Sequence, residues 1–249
     1  MKGEEPPYSE TSGELNLISK VGLTTYTLLL KELTRRDKCV SREELEKIAT
    51  LDQILKDYVE VPNTLVNKAD VLCFKTLVPI ALRALEYGVD PYVVAETLDW
   101  RDFEELVLHY LSLADYEVIH SLKTFGKRYE IDVVAVNHTT GVGLVIDCKH
   151  WSPGYSKKSK LEYVASNHRV KTEYIARECW SLRNKYKTLK KARHFTPVIV
   201  TLTEVLKEPR KGCFVVPISA FRDFVINVQY YIDLLSKEVP LIPNPCYTP

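Results

Sequence analysis

The run Tyr129-Glu130-Ile131-Asp132-Val133-Val134-Ala135-Val136, the turn His138-Thr139-Thr140-Gly141 and the run Leu144-Val145-Ile146-Asp147-Cys148-Lys149 read as two strands joined in a hairpin. Alternate side chains of a strand share a face. Asp132 therefore sides with Val134 and Val136, while Asp147 and Lys149 side with Val145. Two carboxylates and an ammonium stand in otherwise apolar runs. Burying unpaired charge is costly, so these groups are expected to meet one another, a metal or a substrate. As hairpin neighbours, Asp132 and Asp147 converge at one end. Their mutual repulsion is relieved by a divalent cation, and oxygen-only ligation suits Mg²⁺ or Mn²⁺. The alternative is a plain salt bridge between Lys149 and either carboxylate.

Working outward, residues 101–114 carry an amphipathic helical pattern and 116–122 a strand pattern, with the hairpin strands at 128–137 and 142–150. A helical stretch over 158–191 follows, then strands at 197–201 and 213–217 and a closing helix over 220–235. This order predicts an α/β domain over 99–249, with a central mixed β-sheet flanked by helices. Residues 15–98 read instead as helical, after a loose tail, and predict an all-α N-terminal domain over 1–98. Within it Ser41 and Glu44 form a capping-box pattern, and a helical run over 70–87 stops at Gly88. The order helix, short turn, capped helix over 22–49 suits a helix-turn-helix or winged-helix module, or plain helical packing.

Asp102-Phe103-Glu104-Glu105-Leu106-Val107 ahead of Tyr116-Glu117-Val118, then Glu130-Ile131-Asp132 and Asp147-Cys148-Lys149-His150-Trp151, resembles the PD-(D/E)xK nuclease superfamily. The wording is most similar to Mrr-type restriction endonucleases and archaeal Holliday junction resolvases, over about residues 99–235. The resemblance implies a restriction-endonuclease-like core and a Mg²⁺- (or Mn²⁺-) dependent DNA endonuclease, commonly a homodimer. A structure-selective resolvase and a catalytically silent DNA-binding module are the alternatives. It further implies Asp132, Asp147 and the Cys148 backbone carbonyl as metal ligands, with Lys149 acting on the attacking water or the scissile phosphate. Two departures stand out: Ile131 occupies the place of the motif's proline, and the shorter Asp147 fills the D/E position. The family also places a glutamate on the first core helix, where Glu104 and Glu105 adjoin. At about 100° per residue, Glu104 lies at the edge of the apolar arc of Phe103, Leu106, Val107, Tyr110 and Leu111, and Glu105 lies nearly opposite. Glu104 is therefore the candidate, as a catalytic residue and a further metal ligand. Glu130 shares a strand face with Asp132 and either assists it or pairs with Arg128 or Lys127.

Charge carries the second signal. The 249 residues sum to only +1, but from Lys149 to Arg193 there are thirteen Lys/Arg against three Asp/Glu, leaving the remainder at −9. Such a segment is expected to track phosphates through Lys157, Lys158, Lys160, Arg169 and Lys171, with affinity that falls steeply with salt. His168 falls in a seven-residue register with Leu161, Ile175, Leu182 and Leu189, which fits either a buried structural histidine or a phosphate contact. The six cysteines form no CxxC pair, so neither a zinc site nor a disulfide framework is expected, and buried free thiols are. The polar start of the chain and the lack of a long apolar run predict a cytoplasmic protein with no membrane span. Two glutamines in the whole chain, with methionine only at position 1, point to a thermophilic source.

Overall fold

The computed structural model describes residues 11–48, 65–68, 70–151, 157–204 and 208–248. The chain divides into two compact units, 1–98 and 99–249. In the first unit, α1 (Thr11–Arg35) leads to β1 (Cys39–Ser41) and α2 (Arg42–Glu46). The hairpin β2 (Leu65–Lys68) and β3 (Val71–Phe74) follows, then α3 (Val78–Glu86) and α4 (Pro91–Thr97). The capping box forms as written: Ser41 Oγ accepts from the Glu44 N–H at 3.2 Å and donates to Glu44 Oε2 at 2.9 Å. Gly88 ends α3 at φ +83°, the left-handed conformation that a glycine adopts without strain.

This unit is not all-helical. Its strands form an antiparallel sheet in the order β1-β3-β2. The predicted helix over 70–87 splits into β3 and α3 because Val71-Leu72-Cys73-Phe74 is a continuous apolar run. Pro79, lacking an N–H, fits only in the first turn of a helix, which sets the start of α3. The expectation of free thiols is also corrected. Cys39 stands directly opposite Cys73 across β1 and β3 and is disulfide-bonded to it; Cys179 is bonded to Cys246, and Cys148 and Cys213 are free. Spacing conceals both bridges, since one depends on strand register and the other on the return of the C-terminal segment. Cystines persist in oxidising compartments and in the cytosol of hyperthermophiles.

The second unit opens with α5 (Trp100–Leu113), followed by β4 (Tyr116–Lys123), β5 (Glu130–Asn137) and β6 (Val142–Lys149). α6 (Lys157–Arg177), α7 (Cys179–Leu182) and a 3₁₀ turn (Lys187–Lys191) cross to β7 (His194–Thr201). β8 (Phe214–Pro217), α8 (Ile218–Ile226), α9 (Val228–Leu234) and β9 (Ile242–Pro243) complete it. The sheet runs β4-β5-β6-β7-β8, with β9 beside the start of β7. β5 is antiparallel to both of its neighbours, β4 and β6, and β6, β7 and β8 are parallel: a mixed sheet flanked by helices. Pro197 is tolerated inside β7 because pairing with β9 ends at Phe195 and pairing with β8 starts at Val198.

Val134, Val136 and Val145 pack with Ile175, Leu182, Leu189 and Phe195 on the α6 side. Strand alternation turns Val133, Ala135 and Ile146 to the other face, where α5 and α8 meet through Tyr110 and Phe221. The predicted helix over 158–191 breaks after Arg177, so Leu182 and Leu189 reach the same core from separate turns. The closing helix breaks at Asn227, whose N–H makes the last ladder bond to the Asp223 carbonyl at 3.0 Å while its side-chain amide donates to the same carbonyl at 3.2 Å and to Asp223 Oδ1 at 2.8 Å. α5 starts at Asp99, whose Oδ1 accepts from the N–H groups of Arg101 and Asp102 at 2.9 Å. Asp99→Ala should lower stability by about 1 kcal/mol in urea unfolding. No helix among the described residues is long and apolar enough to cross a membrane.

Candidate active site

Where the β5–β6 hairpin opens, the site begins. Its backbone pairing runs from Asn137↔Val142 to Val133↔Ile146, and one step further the same register sets Asp132 opposite Asp147. There the Asp132 side chain replaces the backbone ladder: its Oδ2 accepts the Cys148 N–H at 2.6 Å. Asp147 is 7% exposed. Lys149, two residues on and so on the same face, brings Nζ to 2.6 Å from Asp147 Oδ2. The pair is ionic without hydrogen-bond alignment, and that buried oxygen makes no hydrogen bond.

Two carboxylates and one ammonium thus stand together at the strand ends, Asp147 buried and the other two half-buried. Burial, then the neighbouring charge of Asp147, pushes the Asp132 carboxyl up to about 6; Glu104 adds to this, while the Cys148 N–H and Lys149 oppose it. Burial followed by Asp132, Glu104 and Asp147 also pushes up the Cys148 thiol. The site is short of positive charge and holds an oxygen with an unused lone pair. A hard divalent cation fits that donor set, with Asp132, Asp147 and the Cys148 carbonyl as its holders. Among the described residues no three His, Cys, Asp or Glu side chains gather as a metal-binding group.

Glu104 faces the site and Glu105 faces solvent, as helical phasing requires. The Glu104 side chain is 12% exposed and its Oε2 lies 3.1 Å from His120 Nε2 on β4. One oxygen of Glu104 is thus turned to the imidazole, and its charge reaches the carboxylate pair. His120 went unrecognised in the sequence. The available signal was a single imidazole on the face of β4 that Tyr116 and Val118 share.

The proposed DNA contacts divide. His168 is 2% exposed, its Nε2 bonded to the Val145 carbonyl at 2.8 Å, and burial lowers its pKa. This is the buried, hydrogen-bonded arrangement, the first of the two alternatives for His168. Arg169 is a strut: Nη1 donates to the carbonyls of Gly212 (2.9 Å) and Pro240 (3.3 Å), and Nε meets Glu173 at 3.0 Å. Lys171 Nζ lies 3.3 Å from the Glu130 carbonyl, at the start of β5. Glu130 itself pairs with Lys123 at 3.5 Å. Lys160 is exposed, 5.1 Å from the centre of the Trp151 ring. Lys157 and Lys158 open α6, and their side chains lie outside the described residues.

Residues 99–203 match the family model described as nuclease-related domain. A relative from Archaeoglobus fulgidus, described as an uncharacterised protein, is 29% identical over 135 residues, 53% of this chain and 94% of its own length. Among solved structures, protein VC1899 from Vibrio cholerae is similar at 16% identity and a TM-score of 0.30, over 87% of this chain and 52% of that one. Restriction endonuclease FokI is similar at 14% identity and a TM-score of 0.30, over 83% and 45%. The chain spans about half the length of each of these two structures.

Proposed function

We propose that residues 99–249 form a metal-dependent endonuclease that hydrolyses DNA phosphodiester bonds, of the restriction type. The opposition of Asp132 and Asp147 at the open end of the hairpin, with Lys149 on Asp147, carries this reading. The nuclease-related match over residues 99–203, which include the hairpin and Lys149, supports it. Asp132, Asp147 and the Cys148 carbonyl would hold Mg²⁺ or Mn²⁺. When bound, the cation lowers the pKa of a water and offsets charge on the phosphate. The Cys148 N–H fixes one Asp132 oxygen in place. Lys149, whose ammonium has three donors and no acceptor, orients the attacking water or the phosphate. His120 holds Glu104 at the rim, where its carboxylate orders water. The surplus of Lys and Arg after the motif supplies phosphate affinity without sequence information.

The direct test incubates the full chain with supercoiled plasmid and with a four-way junction, in Mg²⁺ and in chelator. Nicking of the plasmid in Mg²⁺ alone supports the restriction-type reading, and cleavage confined to the junction moves it to a resolvase. Binding without cleavage of any substrate overturns it in favour of a silent module. Cutting both strands calls for two sites, hence a homodimer on this reading. Glu104→Gln should reduce cleavage about 10-fold or more, the scale of a hydrogen bond to a charged group, while Glu105→Gln stays within about twofold. Initial rates on plasmid decide between them. For the first unit we propose a winged-helix-type module, because β1 lies between α1 and a capped α2 and the later β2–β3 hairpin pairs with β1 through β3.

A further inference from the structure

The turn joining β4 to β5, residues 124–129, lies at the end of the sheet that carries Asp132, just past the pair Lys123↔Glu130. It is tied down closely. Thr124 N–H donates to the Tyr129 carbonyl at 3.0 Å, Thr124 Oγ1 donates to the Lys127 carbonyl at 2.9 Å, and the Tyr129 N–H donates back to Thr124 Oγ1 at 3.0 Å. From α6, Tyr174 receives the Lys127 N–H on its hydroxyl at 3.1 Å and packs edge-on against Tyr129. A Cβ on Gly126 would come within 2.6 Å of that hydroxyl, so a larger residue there would displace Tyr174 from the Lys127 N–H.

This rigid turn holds a large apolar side chain out in water: Phe125 is 58% exposed. Single exposed hydrophobics are ordinary, and most exposed aromatics here have their faces occupied. Arginines lie over Trp100 and Trp180, and Tyr230 packs on Tyr231. Among the described residues Phe125 has no such cover. Beside it Lys127 and Arg128 are exposed, and among the described residues no ion pair engages either. An uncovered ring between unpaired cations on a fixed backbone is the combination that binds single-stranded nucleic acid. The ring stacks on a base and the cations meet the flanking phosphates. Charge complementarity with a polyanion favours this occupant over an apolar protein surface.

We infer that Phe125, with Lys127 and Arg128, forms a stacking site for an unpaired nucleobase at the rim of the carboxylate site. The inference rests on the nuclease reading and adds to it a preference for duplex DNA that is open near the cut. The full chain, with divalent metal chelated, is titrated with a fluorescent single-stranded oligonucleotide and with the matching duplex. A second titration follows a 2-aminopurine base in the unpaired stretch.

Phe125→Ala should lower the ratio of single-strand to duplex affinity by about 5- to 150-fold and leave 2-aminopurine unquenched. Phe125→Trp should retain both signals, and Tyr230→Ala should follow the wild type. A Phe125→Ala ratio equal to the wild type, in a protein that still cuts plasmid, overturns the stacking site and leaves the nuclease reading standing. An unchanged ratio with altered sedimentation assigns Phe125 to a protein contact and likewise overturns it. A wild type that neither binds nor cuts nucleic acid overturns both readings.

Discussion

Lys149→Met should slow DNA cleavage about 10²–10⁴-fold, the range for removing a positioned proton-transfer group, and Asp147→Asn should slow it at least as far. The two single variants also separate catalysis from a structural salt bridge through stability. Lys149→Met strands the Asp147 carboxylate, 7% exposed, beside Asp132 with no cation to offset it. Removing one partner of a buried ion pair costs about 3–5 kcal/mol; Lys149 keeps 23% of its side chain exposed, so a loss nearer 2 kcal/mol is expected. Changing both residues removes both charges and should return most of that stability without returning activity. A structural pair predicts the opposite: a restored double variant that cuts as well as the wild type. Plasmid nicking rates and urea midpoints on the same four proteins decide between the two.

The carboxylate pair was legible because strand alternation is strict. Once 130–137 and 142–149 are strands around a short turn, Asp132 and Asp147 fall on one face, with Lys149 beside Asp147. The choice of Glu104 over Glu105 followed from helical angle alone, and the structure turns them as that angle requires. What stayed hidden depends on contacts distant in sequence. No local pattern shows that the ladder stops at Val133, leaving the Cys148 N–H for Asp132. The link from Glu104 to His120 likewise needs the packing of α5 on β4. The arginine at 169 looked like any basic helix residue, and only the folded chain brings it to the Gly212 and Pro240 carbonyls. The sheet of the first unit was missed for a different reason. Val71-Leu72-Cys73-Phe74 is short and apolar throughout, and a run of that length has no period that separates strand from helix.

Asp132→Asn should make the protein more stable at neutral pH, while removing a residue the proposed reaction needs. The sign follows from protons. Asp132 titrates near 6 in the folded chain and near 3.8 when unfolded, so between these values the folded state holds the extra proton. Stability therefore falls as pH rises from about 4 to about 6 and is level above that. The full difference is worth about 3 kcal/mol, or nearer 2 once residual exposure is allowed for. Asparagine carries no charge to bury and retains a carbonyl oxygen for the Cys148 N–H. The gain over wild type should be close to zero at pH 4, grow through pH 5 and reach its plateau above pH 6. Urea unfolding at five pH values, with divalent metal chelated, gives that curve. Adding Mg²⁺ at pH 7.5 should then raise the wild type alone, because only the wild type has both carboxylates to bind it in the folded state. A flat difference across pH would mean that Asp132 is hydrated in solution; a Mg²⁺ response equal in both proteins would remove Asp132 from the ligand set. A folded state that gives up stability to keep two carboxylates together is what a cation-binding site requires, and what a salt-bridged scaffold would have no reason to retain.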